Sequence, residues 1–217
     1  MFKNLKIGVK LGAGFAFVLL LLVAISAISL MRISDMTTAT TVITDDRMPK
    51  MEMSNEIMMN TMKMARAIRN VVIATDKNFE KSQIDLIANT RKTNGEIMDK
   101  IKPMLSTEKG KAMFEKIVEA RAKYGQAIDT IIPIAYSASP TYNPKQATEY
   151  LFGEYTKAAN DYLEQVQNFS DFQKELAAKS SKDSADVASA AKQIVWVLSI
   201  VALSASQVSD NEALSKA

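Results

Sequence analysis

The 217-residue chain contains no cysteine and no histidine. It therefore forms no disulfide bond, and it lacks both a thiol nucleophile and the side chain that most often serves as metal ligand or general base. Glycine and proline are scarce, with seven and five residues, and alternating strand patterns are absent. This composition predicts an all-α protein. A net charge of +3, spread along the chain, gives no sign of a nucleic-acid partner. We expect no enzyme, no catalytic residue, no metal site and no cofactor.

What the chain does contain is a long apolar segment near its N-terminus. Residues 11–31 include no charged residue, asparagine, glutamine or proline. As a helix they would measure about 31 Å, close to the thickness of a bilayer core. Because Lys3, Lys6 and Lys10 precede the segment, residues 1–10 are predicted to stay cytoplasmic. A cleaved signal peptide is the alternative, but its apolar core normally spans only about 7–15 residues, so an uncleaved anchor is favoured.

Four helices are predicted beyond this segment. Apolar residues recur at helical spacing, and the breaks between helices carry capping residues and prolines. The first helix spans about 32–75 with an interruption at Pro49, and the second spans about 79–102. The third follows the caps Ser106 and Thr107 and ends before a loop at 135–143. The fourth begins at Asn143-Pro144 and runs towards Lys192.

The helix lengths predict the architecture. The first and fourth helices have roughly 66–74 Å outside the membrane, whereas the middle two have roughly 38–46 Å. Short connections make neighbouring helices antiparallel. We therefore predict an antiparallel up-down four-helix bundle whose extended first and fourth helices continue into transmembrane helices. A second apolar segment, 194–205, is shorter than the ~17 residues of a span. It is predicted to be an incomplete second transmembrane helix, followed by a polar tail at 206–217.

Several motifs, in this order and spacing, carry a resemblance to a known family. They are the opening MFKNLKIGVKLGAGF, Asp46-Arg47-Met48-Pro49, Ala65–Asn70, Lys109-Gly110 with Glu119–Tyr124, and Tyr150–Glu154. Together they resemble the N-terminal part of bacterial methyl-accepting chemotaxis proteins with a four-helix-bundle ligand-binding domain. The resemblance covers Met1 to about Leu203.

The resemblance implies an inner-membrane receptor with a periplasmic sensor domain, here residues 32–193. In the family this domain is a homodimer that binds amino acids or organic acids, and the ligand displaces the fourth helix relative to the first. A HAMP linker and a methylated coiled coil then signal to a histidine kinase. We expect the chain to stop inside the second span, so that the contacts with downstream kinase partners are not encoded in it.

Polar residues on the predicted buried faces are the candidates for a ligand site. Arg121 occupies a seam position between Val118 and Tyr124, and an unpaired buried charge is costly. Thr90 and Asn94 are the corresponding anomalies on the second helix. Counted from the distal end, Arg66, Thr90, Arg121 and Tyr155 lie at similar depths, roughly 15–24 Å. This predicts a carboxylate site. The alternatives are that Arg121 extends to the surface or pairs with Glu119 or Asp85.

Two further arginines lie on the first predicted helix. Arg66 and Arg69 share a stripe with Met62 and Ile73. The resemblance implies a role for Arg69, because aspartate- and serine-sensing relatives use arginines here to hold a carboxylate across the dimer interface. Ala65 stands where a second such arginine would be, which points away from a strict aspartate receptor. Organic acids such as C4-dicarboxylates or citrate suit the arginines and tyrosines.

Two other interpretations stay open. A structural membrane protein whose bundle only dimerises would need no ligand. The first helix is also rich in methionine, at Met48, Met51, Met53, Met58, Met59, Met62 and Met64, and thioethers are ligands of Cu(I). Because these methionines surround the helix, adaptable packing is the favoured role. The predicted ligand-binding residues are Arg66, Arg69, Thr90, Asn94, Arg121, Tyr124 and Tyr155.

Overall fold

The computed structural model describes residues 7–214, which are almost entirely helical. The chain divides into two compact units. One consists of Met1–Ile43 and Ala178–Ala217, and we call it the anchor unit; the other, Thr44–Ala177, is the bundle unit. The predicted cytoplasmic residues 1–6 and the last residues of the predicted tail, 215–217, lie outside the described residues.

The anchor unit consists of helical segments, parts of which expose large apolar side chains. Helix α1 spans Ile7–Thr41, and the second segment belongs to helix α6, which spans Thr156–Leu214. Phe15, Leu20 and Trp196 are among its exposed large side chains. By length and composition, the helices that contain these segments are long and apolar enough to cross a membrane. Helix α6 continues to Leu214, so the segment predicted as a polar tail is helical as far as it is described.

The bundle unit contains the four helices of the predicted bundle. Helix α2 spans Met48–Ile73, α3 spans Lys77–Ile101 and α4 spans Glu108–Ala135. A short helix α5, Pro144–Tyr150, leads through a π-helical turn at Leu151–Tyr155 into α6. Short connections reverse the chain between successive helices, which gives the up-down arrangement.

The predicted core faces are largely buried, although Val118, assigned to the seam of the third predicted helix, is 41 % exposed. On α2 the buried residues follow three- and four-residue spacing, as expected for an amphipathic helix; they include Ile57, Thr61, Met64, Ile68 and Val71. The corresponding faces of α3, α4 and α6 supply the rest of one continuous core. The helical period of the apolar residues therefore predicted which faces meet.

Side-chain caps begin three of the helices. The side chain of Asp76 accepts a hydrogen bond from the Phe79 amide at 2.8 Å, and that of Thr107 accepts one from the Gly110 amide at 3.0 Å. Asn143 accepts from the Gln146 amide at 3.1 Å, and Pro144 follows it at the first helical position. These caps satisfy amide groups that the first helical turn leaves without partners.

The interruption of the first predicted helix lies one turn earlier than expected. It is a π-helical turn at Val42–Arg47, and Pro49 stands in the first turn of α2. Proline has no N–H for the carbonyl four residues earlier, and its ring crowds that carbonyl, so the preceding turn widens. The Lys50 ammonium, which is buried, bonds Asp46 at 2.7 Å and the Met104 carbonyl at 2.9 Å, and these bonds fix the turn.

The fourth predicted helix is also interrupted, which the sequence did not predict. Within Leu151–Tyr155 the backbone of Gly153 leaves helical geometry. The Thr156 hydroxyl donates to the Leu151 carbonyl at 2.6 Å and so satisfies an acceptor at the start of the wide turn. Because a π-helical turn contains an extra residue, it changes which side of α6 the following residues occupy.

Candidate functional site

A cavity of about 330 Å³ opens between α3 and α4, and we call it the α3–α4 cavity. Its lining comes mainly from these two helices, with one side chain each from α2 and α6. The lining residues are Met64, Arg91, Asn94, Val118, Arg121, Ala122, Tyr124, Gly125, Ile128 and Tyr162. Three predicted site residues, Asn94, Arg121 and Tyr124, therefore meet here.

Two arginines cross the cavity in a reciprocal arrangement. A Cβ atom added to Gly95 of α3 would lie 2.9 Å from Nη2 of Arg121, and one added to Gly125 of α4 would lie 2.7 Å from Nη2 of Arg91. Each guanidinium group thus lies against a glycine of the neighbouring helix. In sequence each glycine follows the arginine of its own helix by four residues, which places each arginine and glycine on one helix face.

The two arginines differ in their partners. Arg91 pairs with Asp129 through two contacts, at 2.6 and 3.2 Å. Arg121 is half-buried and has no ion-pair partner among the side chains that the structure describes. The two acids considered for it pair elsewhere, Glu119 with Lys123 at 2.9 Å and Asp85 with Lys81 at 3.6 Å. Arg121 therefore presents an uncompensated positive charge to the cavity.

Three buried tyrosines pack beside the cavity. The ring of Tyr124 lies 5.7 Å, between centroids, from the rings of both Tyr155 and Tyr162. The Tyr124 and Tyr155 hydroxyls are 3.0 Å apart and hydrogen-bonded. Burial raises the pKa of Tyr155 to about 12, and burial also raises the pKa of Tyr124 and of Tyr162. For Tyr162 the charge of Arg121 acts in the opposite direction. The three phenols stay neutral at physiological pH.

Asn94 is hydrogen-bonded to residues of α2. Its side-chain oxygen accepts from Asn60 at 2.9 Å, and its NH₂ group donates to the Thr61 hydroxyl at 3.4 Å. These bonds join α3 to α2. A buried amide that is already hydrogen-bonded on both sides contributes mainly to helix register, so the polar groups that the cavity offers to a ligand are chiefly the guanidinium groups.

A second, smaller cavity holds two other predicted site residues. It has a volume of about 220 Å³, lies between α2 and α6, and includes Arg69 and Tyr155; we call it the Arg69 cavity. Its remaining lining residues are Met62, Ala65, Thr156, Ala159, Asn160 and Leu163. Arg69 itself is exposed. Tyr155 lines this cavity while its hydrogen-bond partner Tyr124 lines the other.

The remaining predicted site residues line neither cavity. Arg66 is exposed on α2, and Thr90 is buried in α3. Their depth along the bundle resembles that of Arg121, but depth alone does not say which side of a helix a residue occupies. The predicted single site is thus divided between two cavities.

The structure adds residues that the sequence prediction missed. Arg91, Gly95 and Gly125 belong to the arrangement around Arg121. The available signal was the repeated spacing, Arg91 with Gly95 and Arg121 with Gly125, on two consecutive helices. The methionines of α2 show no shared location, since Met64 is buried while Met59 and Met62 are exposed.

Comparison with known proteins identifies the family. No curated protein matches the chain with significant similarity. The model of one family, described as a four helix bundle sensory module for signal transduction, matches residues 4–188. The match covers most of the chain and includes the whole bundle unit; it contains α2, α3 and α4 completely and α6 as far as residue 188. The chain belongs to this family of four-helix-bundle sensory modules of chemotaxis receptors.

Proposed function

We propose that the chain is the ligand-sensing module of a membrane chemoreceptor, with the bundle unit in the periplasm. In this proposal the bundle binds a small organic acid or amino acid, and binding displaces α6 relative to α2. The coarser role, a sensory module for signal transduction, follows from family membership. The carrying observation for a ligand site is Arg121, an unpaired guanidinium group in a cavity of about 330 Å³.

A carboxylate is the ligand group that this arrangement favours. Leaving a partly buried charge without a counter-ion is unfavourable, and a bound anion would supply one. Guanidinium also pairs with carboxylate through two parallel hydrogen bonds. Among the predicted residues we therefore assign the ligand contact to Arg121 and the supporting surface to Tyr124, with Asn94 holding the helices in register.

Arg69 and Tyr155 belong to a second candidate position. The Arg69 cavity lies on the side of α2 that also exposes Met62, which is 60 % exposed, and Ile73, which is 75 % exposed. Two exposed apolar side chains on one stripe of a bundle helix favour a partner, here a second copy of the chain. In a dimer formed through this stripe, Arg66 and Arg69 of the two copies lie near the shared interface.

The proposed orientation of the chain in the membrane rests on the positions of its basic residues. The lysines at positions 3, 6 and 10 precede the apolar residues 11–31, and basic residues are retained in the cytoplasm. A reporter enzyme fused after Lys50 tests this: periplasmic activity supports the proposal, and cytoplasmic activity contradicts it.

The ligand proposal is tested by thermal unfolding of the full chain in lipid nanodiscs with a panel of small acids. A ligand at 100 times its Kd stabilises the bound form by about 2.7 kcal/mol. We expect at least one acid to raise the Tm of the wild type and of Arg66→Ala, whose side chain lies outside both cavities. If no acid changes the Tm, the structural alternative, a membrane protein that only dimerises, is favoured.

Dimerisation is tested separately by sedimentation in detergent. Met62→Glu places a charge on the exposed stripe and is expected to weaken association, whereas Lys63→Glu, on an adjacent face, is the control. A wild type that stays monomeric at high concentration with a bound acid contradicts the dimer.

A further inference from the structure

We propose that the α3–α4 cavity is specific for a monocarboxylate with an apolar, aromatic-sized body and no amino group. This inference rests on the proposed function, because it names the class of ligand that the sensing site takes. It also assigns Arg91 a part in binding, together with Gly95 and Gly125. It departs from amino acids, C4-dicarboxylates and citrate as ligands of this cavity.

The position of the two guanidinium groups favours a single carboxylate. Arg121 lies at the level of Gly95, and Arg91 lies at the level of Gly125. Arg91 and Gly95 are four residues apart on α3, so the two groups are offset by about 6 Å along the helix axis. One carboxylate placed between them can accept two parallel hydrogen bonds from Arg121 and a further one from Arg91.

The charge balance favours a monoanion. Arg91 and Arg121 contribute two positive charges, and Asp129, paired with Arg91, contributes one negative charge. These three side chains together therefore carry one uncompensated positive charge. One carboxylate neutralises it, whereas a second carboxylate on the same ligand would have no cation to pair with and would be desolvated without compensation.

The rest of the lining favours an apolar body. Met64, Val118, Ala122 and Ile128 carry no polar side-chain atom that donates a strong hydrogen bond. The tyrosines present their rings, because the Tyr124 hydroxyl is bonded to Tyr155 and the Tyr162 hydroxyl lies 3.9 Å from the sulfur of Met98. An apolar or aromatic group in this space gains burial and ring contacts.

The lining disfavours an α-amino acid. None of the ten residues that line the cavity is acidic, and Asp129 is already engaged by Arg91. An ammonium group needs hydrogen-bond acceptors or a negative charge when it leaves water. In this cavity it would instead lie near two guanidinium groups, which repel it.

The glycines are part of the site because they leave room for the arginines. A methyl group at Gly95 would come 2.9 Å from the Arg121 guanidinium, which is closer than van der Waals contact. Since this group is the end of a flexible side chain, it would move away and leave the helix intact. Gly95→Ala therefore changes the position of the guanidinium and keeps its charge.

The experiment is calorimetric titration of the full chain in nanodiscs with three probes. These are 3-phenylpropanoate, phenylalanine, which differs from it by the α-ammonium group, and succinate, a dianion. Each is titrated into the wild type, Arg121→Ala, Gly95→Ala and the control Gly12→Ala. Gly12 lies in α1, where an added Cβ meets no atom within 4 Å.

We expect 3-phenylpropanoate to bind the wild type at least about tenfold more tightly than either other probe. Arg121→Ala should weaken its binding roughly 100-fold. Gly95→Ala should weaken it about tenfold with an unchanged or higher Tm, and Gly12→Ala should bind as the wild type does. A structural role of Gly95 alone would change the Tm and leave the affinity unchanged, which would overturn the assignment.

Other outcomes separate this inference from the proposed function. Tighter binding of succinate or phenylalanine that is lost in Arg121→Ala overturns the ligand class and leaves the sensing role intact. Binding of 3-phenylpropanoate that survives in both Arg121→Ala and Gly95→Ala overturns the location. Failure of all three probes, together with an acid panel that never changes the Tm, overturns both.

Discussion

The α3–α4 cavity and the Arg69 cavity both combine arginine with buried tyrosine, yet they are built differently. In the α3–α4 cavity, two arginines lie against glycines, and one of them has an acid partner while the other does not. In the Arg69 cavity, a single exposed arginine lies beside Ala65 on the helix that carries the exposed Met62 and Ile73. The first arrangement is complete within one chain. The second lies on the surface of α2 that the proposed dimer would cover.

The difference shows how a helical bundle can position a long, flexible side chain. An arginine on an open helix face loses much of its rotamer entropy when it binds a ligand. A glycine on the facing helix has no side chain, so it allows the guanidinium group to approach the helix backbone closely. We therefore expect the α3–α4 cavity to bind an acid without dimerisation and the Arg69 cavity to depend on it.

The largest expected effect is the loss of ligand affinity when the unpaired arginine of the α3–α4 cavity is removed. Arg121→Ala should reduce the affinity for an organic acid by roughly 100-fold, about 2.7 kcal/mol, because it removes the unpaired cation. The bundle should stay folded, since no described acid is left without a partner. Isothermal titration and Tm measure the two effects.

Arg69→Ala is the matched control for that change, and it should leave the affinity within about twofold. Arg121→Lys should give an intermediate affinity, because lysine keeps the charge but cannot form two parallel bonds. The reverse result, with Arg69→Ala abolishing binding and Arg121→Ala neutral, would assign the ligand to the Arg69 cavity.

The second prediction concerns alkaline pH. Burial raises the pKa of Tyr155 to about 12 in the folded chain, whereas a tyrosine in an unfolded chain has a pKa of about 10. The unfolded chain loses this proton first, so the contribution to stability is fully present below pH 10 and is lost as pH rises towards 12. For Tyr155 the loss is on the order of 2–3 kcal/mol. Thermal unfolding from pH 9 to 12 should show the decrease.

The Tm of Tyr155→Phe should decrease less than that of the wild type over the same pH range. Equal slopes in the wild type and Tyr155→Phe would show that Tyr155 does not contribute to the alkaline loss.

The third prediction tests the hydrogen bond that joins the linings of the two cavities. Tyr124→Phe or Tyr155→Phe leaves one buried hydroxyl without its partner and should cost about 1–2 kcal/mol in free energy of unfolding. The double variant removes both hydroxyls and should cost less than the sum of the single changes. Urea denaturation of the four proteins gives the coupling energy, and strictly additive losses would contradict an interaction between the hydroxyls.

The smallest expected effect comes from the glycine of α3. Gly95→Ala lies inside a helix and should raise the free energy of unfolding by about 0.5–1 kcal/mol, provided the Arg121 guanidinium moves aside. A destabilised Gly95→Ala variant would show that the guanidinium cannot move. Gly12→Ala gives the reference for a helical glycine without neighbours.

The sequence predicted most of the fold because the fold depends on local signals. The spacing of Ile57, Thr61, Met64 and Ile68 indicated the buried face of α2, and Asn143-Pro144 indicated the start of α5. The wide turn at Leu151–Tyr155 was missed, since its backbone departure at Gly153 has no distinctive composition. The turn at Val42–Arg47 was displaced from Pro49 because a proline disturbs the turn that precedes it.

Part of the candidate site could also be predicted from the sequence, because one of its residues gives a local signal. Arg121 stood out because it interrupts an apolar seam, and the structure brings it into a cavity with Tyr124. Arg91 gave no such signal, since it stands at a half-exposed position. The Arg91 guanidinium lies against Gly125 of the neighbouring helix, and residue spacing within one helix does not indicate such a contact. A count of depth along the bundle therefore grouped Thr90 and Arg66 with Arg121, although they line neither cavity.

The hydrogen bond between the Tyr124 and Tyr155 hydroxyls can form in either direction. The pair has two hydroxyl hydrogens and one shared bond, and either oxygen can be the donor. Whichever tyrosine accepts keeps its own hydrogen free to donate elsewhere. If Tyr124 accepts, the free hydroxyl hydrogen is carried by α4; if Tyr155 accepts, it is carried by the π-helical turn before α6. The pair thus keeps one hydroxyl hydrogen to donate, and the helical element that carries it changes with the direction of the bond.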